Sequence, residues 1–128
     1  MNLLLDTHAL LWWFTDDPQL SAPVRDALLN TTNTVFVSAA SAWEIATKQR
    51  IGKLNGVPQI SERFNELVIA DGFKHLPVTY LHALRAGHFP QAHRDPFDRM
   101  LAAQSQIERL TLVTCDQALA AFDCQRFW

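Results

Sequence analysis

Short apolar runs recur along the chain and end at polar or acidic residues. Leu3, Leu4 and Leu5 form such a run, which stops at Asp6. A continuous apolar run of this length is typical of a strand that is buried on both faces, as in a parallel sheet. The same pattern predicts strands at residues 34–37 and 110–114, a weaker strand at 73–78 because Pro77 interrupts it, and an edge strand at 125–128.

Stretches with helical spacing of apolar residues separate these runs. Ser21 is a typical N-cap and Pro23 suits an early helical position, while Gly52 is a typical stop. Helices are predicted at 8–14, 21–30, 38–50, 60–70, 80–86 (ended by Gly87), 96–109 and 117–122. Because strands alternate with helices, we expect one domain over 1–128, with a three-layer α/β/α architecture and a mostly parallel central sheet. The pattern leaves the strand order open.

Composition narrows the class of protein. The chain has 128 residues, 48% of them hydrophobic and 19% charged, and a formal net charge of −2. These values exclude an intrinsically disordered chain and a strongly basic nucleic-acid binder. The two cysteines form neither a disulfide framework nor a zinc-binding spacing, and the apolar N-terminus lacks a basic leader. We therefore expect a cytoplasmic protein that does not insert into a membrane.

Acidic residues follow the predicted strands. Asp6 ends the first strand, Glu44 lies in the helix after the second, Asp98 opens the helix before the third, and Asp116 follows that strand. The carboxyl ends of the strands are where open α/β sheets bind ligands. Several carboxylates in one pocket must share protons or bind a divalent cation, and oxygen ligands suit Mg²⁺ or Mn²⁺. Such a site activates water for phosphodiester hydrolysis.

Each of these acids also has a simpler interpretation as a helix cap. Residues 41–44 have the pattern of a capping box, in which Glu44 bonds only a backbone N–H. Asp95 before Pro96 reads as an N-cap that places Asp98 in the first helical turn, and Asp6 and Asp116 suit the same role. The sequence leaves capping and metal binding open, and the two roles are compatible.

Four blocks of sequence resemble a known family. They are LLLDTHALLWW at 3–13, SAASAWEIATKQRIGKL at 38–54, HRDPFDRMLAAQS at 93–105 and LTLVTCD at 110–116. Together, and in this order, they resemble the PIN-domain nucleases, and most closely the VapC-type toxins of bacterial toxin–antitoxin pairs. The resemblance implies a PIN fold, a Mg²⁺- or Mn²⁺-dependent endoribonuclease, inhibition by a cognate antitoxin, and a homodimer.

The resemblance also implies roles for individual residues. Asp6, Glu44, Asp98 and Asp116 match the four acids of the family, and we expect Asp6 and Asp98 to bind the metal ion directly. Glu44 and Asp116 would complete the metal site or help to deprotonate the attacking water. Further supporting roles are predicted for Asp95, Thr7 and Thr114, each with simple capping as the alternative.

Basic residues flank the acidic blocks and are candidates for contacts to RNA phosphates. They are Lys48, Arg50, Lys53, Arg94 and Arg99. The alternative for each is an ordinary solvated helix face. The consecutive aromatic residues at 12–14 are either an exposed anchor for a protein partner or part of a helix that is buried nearly all round.

Two other functions are compatible with parts of the sequence. A phospho-acceptor signalling module of flavodoxin-like fold would also have an acidic Mg²⁺ pocket, although no lysine lies near Asp116 as that class requires. A non-catalytic binding module of PIN fold would retain the acids without using them. The RNA target and the choice between Mg²⁺ and Mn²⁺ are not readable from the sequence.

Overall fold

A computed structural model describes residues 1–54 and 59–128. The strands are β1 (Asn2–Leu5), β2 (Thr34–Ser38), β3 (Lys74–Leu76), β4 (Thr111–Val113) and β5 (Arg126–Phe127). The helices are α1 (Thr7–Phe14), α2 (Ala22–Leu29), α3 (Ala39–Arg50), α4 (Gln59–Glu62), α5 (Phe64–Ala70), α6 (Tyr80–His88) and α7 (Pro96–Glu108), with a 3₁₀ helix at Gln117–Ala121.

The five strands form one parallel sheet in the order β3-β2-β1-β4-β5. The central strand β1 pairs with β2 on one side and β4 on the other, so that Leu4 lies opposite both Phe36 and Leu112. Flavodoxin-like folds have the order 2-1-3-4-5. The flavodoxin-like fold considered as an alternative is therefore wrong, and the predicted parallel α/β/α architecture is confirmed.

The two faces of β1 belong to different halves of the core. Leu3 and Leu5 are fully buried in one apolar cluster, whereas Leu4 is fully buried in the other, together with Leu101 of α7 and Leu112 of β4. Successive side chains of a strand point to opposite faces, so an uninterrupted apolar run covers both. This burial explains why β1 shows no alternation of apolar and polar residues.

The aromatic residues of α1 pack inward rather than standing free. Trp12, Trp13 and Phe14 are partly buried against the core. The indole N–H of Trp13 donates to Asp71 at 2.9 Å, and Trp12 meets the ring of Trp128 edge-on at 5.8 Å. Of the two interpretations of this segment, the structure favours burial over an exposed anchor.

Helix boundaries differ from the predicted pattern in three places. The helix predicted at 60–70 is two helices, α4 and α5, separated at Arg63, whose φ of −111° is not helical. Gly87 does not end α6, which continues to His88, and the helix predicted at 117–122 is of 3₁₀ type. Helix α5 ends at Ala70 as predicted, with Asp71 as its C-cap, and the following Gly72 has a φ of +73°, a conformation that glycine adopts without strain.

No helix in the described ranges is both long and apolar enough to cross a bilayer.

Candidate functional site

The direction in which the chain crosses the sheet reverses between β1 and β4. From β1 the chain moves outward to β2 and β3, and then returns to place β4 on the other side of β1. Loops at the carboxyl ends of two such strands diverge and leave a crevice, which is the usual ligand site of an open α/β sheet. Here the residues that follow these strands are Asp6 and Thr114.

Asp6 is fixed at the edge of this crevice. Its backbone N–H donates to the carbonyl of Val113 at 3.1 Å and so joins the ends of β1 and β4. Its side chain is the N-cap of α1 and accepts the N–H of Ala9 at 2.7 Å. Only 5% of Asp6 is exposed. The predicted N-cap role of Asp6 is correct, and the capping bond also holds its carboxylate at the strand ends.

Asp116 lies just beyond the end of β4. The buried Thr114 hydroxyl accepts the N–H of Asp116 at 3.0 Å, and the Asp116 carboxylate caps the 3₁₀ helix by accepting the N–H of Ala118 at 2.9 Å. Thr114 also lowers the pKa of Asp6 through a hydrogen bond. Thr114 therefore contacts both acids of the crevice, which fits its predicted supporting position.

Asp98 reaches the site from the first turn of α7. Asp95 caps this helix and accepts the N–H groups of Phe97 at 2.9 Å and Asp98 at 3.3 Å, with Pro96 at the first helical position as predicted. The Oδ2 atom of Asp98 lies 3.0 Å from Nε2 of His93, and both side chains are 18% exposed. Asp98 is thus held at both its backbone and its side chain.

The charges of these carboxylates act on one another. Burial, more than any other cause, raises the pKa of Asp6, and the charge of Asp116 raises it further. Burial and then the charge of Asp95 raise the pKa of Asp98 to about 6, against the opposing effect of His93, and Asp116 again adds to the rise. Asp116 acts on both other acids, so Asp6, Asp98 and Asp116 lie in one electrostatic neighbourhood.

Glu44 lies on α3, which the start of α1 contacts, and it has its own partner. The Thr7 hydroxyl donates to Ser41 at 3.0 Å and ties the start of α1 to α3, on which Glu44 follows one turn later. Only 3% of Glu44 is exposed, and its carboxylate accepts from the ammonium of Lys48 at 2.5 Å. The capping box predicted at 41–44 is wrong, because the N-cap of α3 is Ser38.

The carboxylates at the ends of β1 and β4 carry oxygen atoms, which are the ligands that Mg²⁺ and Mn²⁺ prefer. Among the residues described, no three His, Cys, Asp or Glu side chains form a cluster tight enough to enclose a metal ion. Mg²⁺ does not require one, because it keeps several waters and is held by one or two carboxylates. Asp6 and Asp98 supply oxygen donors that are costly to ionise in their present surroundings. The residues present therefore fit a hydrated divalent cation.

The basic residues predicted to contact RNA have different surroundings. Arg50, Lys53 and Arg94 are exposed. Lys48 is paired with Glu44, and the Arg99 guanidinium donates to backbone carbonyls of the segment between α6 and α7. Because its donors are committed within the protein, the geometry of Arg99 does not favour the predicted phosphate contact.

Sequence reasoning missed one residue of the site. His93 is the first residue of the HRDPFD block, but a histidine close to candidate site residues is usually packed or capping, and no ligand role was predicted for it. The structure places its ring on Asp98 and against the edge of Phe122, with 5.6 Å between the ring centroids. The five-residue separation between His93 and Asp98 matches no regular periodicity, so the only signal in the sequence was that both residues belong to the same block.

The geometry agrees with a comparison against models of protein families. The model described as the PIN domain matches residues 3–123. The chain belongs to the PIN domain family. This PIN domain also resembles solved structures, although no significant match is found among curated protein sequences.

Three of these structures cover nearly the whole PIN domain. VapBC2 from Rickettsia felis, bound to a DNA fragment from their promoter, is 14% identical, with a TM-score of 0.72 over 99% of this chain and 98% of that chain. FitAcB from Neisseria gonorrhoeae is 23% identical, with a TM-score of 0.70 over 98% and 96%. VapBC-1 from nontypeable Haemophilus influenzae is 19% identical, with a TM-score of 0.69 over 99% and 97%. At these identities the likeness shows a shared fold.

Proposed function

We propose that this PIN domain is the toxin of a toxin–antitoxin pair and acts as a Mg²⁺- or Mn²⁺-dependent endoribonuclease. The observation that carries the proposal is the group formed by Asp6, Asp98 and Asp116 at the crevice between β1 and β4, where burial and the charges of neighbouring carboxylates, Asp116 among them, raise the pKa of the first two. A divalent cation relieves this repulsion, and a pocket that is costly to ionise without one is suited to binding it.

The residues take distinct roles in hydrolysis. Asp6 and Asp98 would hold the cation, which would supply a lowered pKa for a water molecule and offset the charge on the phosphodiester. Asp116, exposed beside them, accepts the proton of the attacking water, and Glu44 with its Lys48 partner is the second candidate for that step. The water oxygen bonds to phosphorus, and the bond from phosphorus to the leaving ribose oxygen breaks. That oxygen takes a proton from solvent, and the base later releases to solvent the proton that it accepted.

The substrate must approach an acidic crevice and therefore needs cationic contacts. The exposed Arg50, Lys53 and Arg94 are placed on the two helices that carry Glu44 and Asp98 or in the segments adjoining them. Phosphate contacts of this kind position RNA without selecting its sequence. We assign the three residues to the RNA backbone, and leave the choice among tRNA, rRNA and mRNA open.

Solved structures of similar fold support the proposal of a protein partner. The structures named above include VapBC and FitAcB assemblies, and a further one is a toxin–antitoxin complex from Klebsiella pneumoniae, 16% identical with a TM-score of 0.66. We propose that the protein binds a cognate antitoxin, forms a homodimer and acts in the cytoplasm. Light scattering with and without the product of a neighbouring short reading frame tests both assemblies.

The decisive experiment compares RNA cleavage by the wild type, Asp6→Asn and Asp98→Asn. We expect the wild-type protein to cut cellular RNA in the presence of Mg²⁺ or Mn²⁺, and the cleavage to stop when EDTA is added. We expect both variants to be inactive, although circular dichroism should show that they are folded. Asp26→Asn, an equivalent change at an exposed site on α2, is the matched control and should remain active. Folded wild-type protein that binds neither ion at millimolar concentrations would instead favour the non-catalytic binding module.

A further inference from the structure

The side chain of Arg99 binds the segment between α6 and α7 at several points. The guanidinium of Arg99 donates to the carbonyls of Ala86 at 2.9 Å, Phe89 at 2.7 Å, Gln91 at 2.8 Å and His93 at 2.9 Å. The planar guanidinium holds its N–H donors in a rigid fork, so it can bind carbonyls at several points of a turn at once. A lysine ammonium is a compact point charge and cannot do so. Arg99 thus fixes the backbone path that leads from α6 to His93.

Contacts at the ends of this segment hold it against the 3₁₀ helix. The side-chain amide of Gln91 donates to the carbonyl of Ala121 at 3.0 Å. The ring of His93 packs edge-on against Phe122, which also lies 4.8 Å from the ring of Phe89 between centroids. The orientation of the imidazole is therefore set by packing and by the backbone, before any bond to an acid is considered.

The anchored histidine contacts one oxygen of one acid. Nε2 of His93 lies 3.0 Å from Oδ2 of Asp98. An ionised carboxylate only accepts hydrogen bonds, so the nitrogen that faces it donates. Among the described residues, Oδ1 of Asp98 makes no hydrogen bond, so that oxygen is the one available to a ligand while the plane of the carboxylate is fixed.

We propose that His93, held in place by Arg99, is a positioning residue that orients the Asp98 carboxylate for the divalent cation. The inference rests on the proposed function, because it gives Asp98 a metal to bind. Carboxylates that bind metals are themselves hydrogen-bonded, and removal of such a partner costs ~10–100-fold in metal affinity. His93 does not touch the cation or the RNA in this arrangement; it acts through Asp98.

A competing interpretation makes the opposite prediction. If His93 merely neutralises Asp98 while no cation is bound, it competes with the cation, and its removal would strengthen metal binding. If it orients the carboxylate, its removal weakens binding. The direction of the change in affinity therefore separates the two interpretations.

The test is calorimetric titration of Mn²⁺ into metal-free full-length protein, without RNA. We expect His93→Ala to bind about 10–100-fold more weakly than the wild type, and His93→Gln, whose amide N–H replaces the donor, to recover most of that loss. Arg99→Lys, which keeps the charge but not the fork, should weaken binding although His93 is present. His88→Ala, the same change at an exposed position at the end of α6, should bind as the wild type does.

Three results would overturn the inference. His93→Ala that binds Mn²⁺ as tightly as the wild type, or more tightly, excludes an orienting role. Equal losses in His93→Ala and His93→Gln would assign the effect to packing against Phe122. A wild type that binds no Mn²⁺ would overturn the proposed function itself, and the inference with it, whereas the first two results leave the proposed function standing. Thermal unfolding without metal verifies that each variant is folded.

Discussion

Replacing Asp98 with asparagine is expected to stabilise the metal-free protein at neutral pH. Burial, followed by the charge of Asp95, raises the pKa of Asp98 from 3.8 to about 6, even though the bond from His93 opposes the rise. The ionised form is therefore less favourable in the folded protein than in the unfolded chain. Asparagine has a similar shape and keeps an oxygen that accepts from His93, but it carries no charge.

The magnitude follows from the difference between the two pKa values. A rise from 3.8 to about 6 makes ionisation about 3 kcal/mol more costly in the folded state. Between these values the folded state binds more protons than the unfolded state, so wild-type stability falls as the pH rises through this window. Asp98→Asn does not undergo this loss. We expect its advantage to grow from near zero around pH 4 to about 1–3 kcal/mol above about pH 6.5.

Urea unfolding in EDTA, followed by tryptophan fluorescence from pH 4.5 to 8, measures this advantage. Asp26→Asn, exposed on α2, is the control for the chemical change and should show no comparable growth. With Mn²⁺ at 100 times its dissociation constant, the wild type should gain about 2.7 kcal/mol and the variant much less. A variant less stable than the wild type at pH 7.5, or a difference that does not change with pH, would refute the reasoning.

Three further predictions address neighbouring residues. Lys48→Met leaves the buried Glu44 carboxylate without its ammonium partner and should lower the free energy of unfolding by about 1–3 kcal/mol. Adding Glu44→Gln should recover part of this loss, and an unchanged free energy of unfolding in Lys48→Met would contradict the pairing. Gln104→Leu removes the oxygen that accepts the buried Ser38 hydroxyl of β2 at 2.6 Å, and it should lower the free energy of unfolding in urea by about 1–3 kcal/mol. An unchanged free energy of unfolding would mean that this hydrogen bond does not contribute to stability. Burial and nearby carboxylates, including Asp116, raise the pKa of the Cys115 thiol. Because the thiolate is the form that reacts, Asp116→Asn should speed the alkylation of Cys115 by iodoacetamide, measured by peptide-level mass spectrometry. An unchanged rate would mean that Asp116 has no effect on the thiol.

The elements around the site were predictable because their signals are local. A strand buried on both faces needs an uninterrupted apolar run, and Leu3–Leu5 is one. An aspartate before a proline at the start of a helical stretch is an N-cap signal, and Asp95 occupies that position. The pairing of Glu44 with Lys48 was also available from the sequence, because residues four apart share a helix face. The same glutamate also fits the capping-box pattern at 41–44, which predicts a different partner for it.

What the sequence left open depends on how distant segments meet. The order β3-β2-β1-β4-β5 is set by which side of β1 each crossover takes, and no single segment encodes that choice. The break at Arg63 interrupts a stretch whose apolar residues would suit one continuous helix. The contact between His93 and Asp98 is made by an irregular segment whose carbonyls Arg99 binds, and no periodic pattern in the sequence encodes such a segment.

Capping by the aspartates of this site is compatible with the proposed metal site. Asp6, Asp95 and Asp116 each accept a backbone N–H at the start of a helix, and those helices begin at the acidic crevice. The positive end of a helix dipole stabilises a nearby negative charge, so the caps offset part of the repulsion that burial increases. An alanine at Asp6 or Asp116 would remove a cap together with a candidate ligand. Asparagine keeps the capping oxygen and removes the charge, so only the asparagine variants separate folding from function at this site.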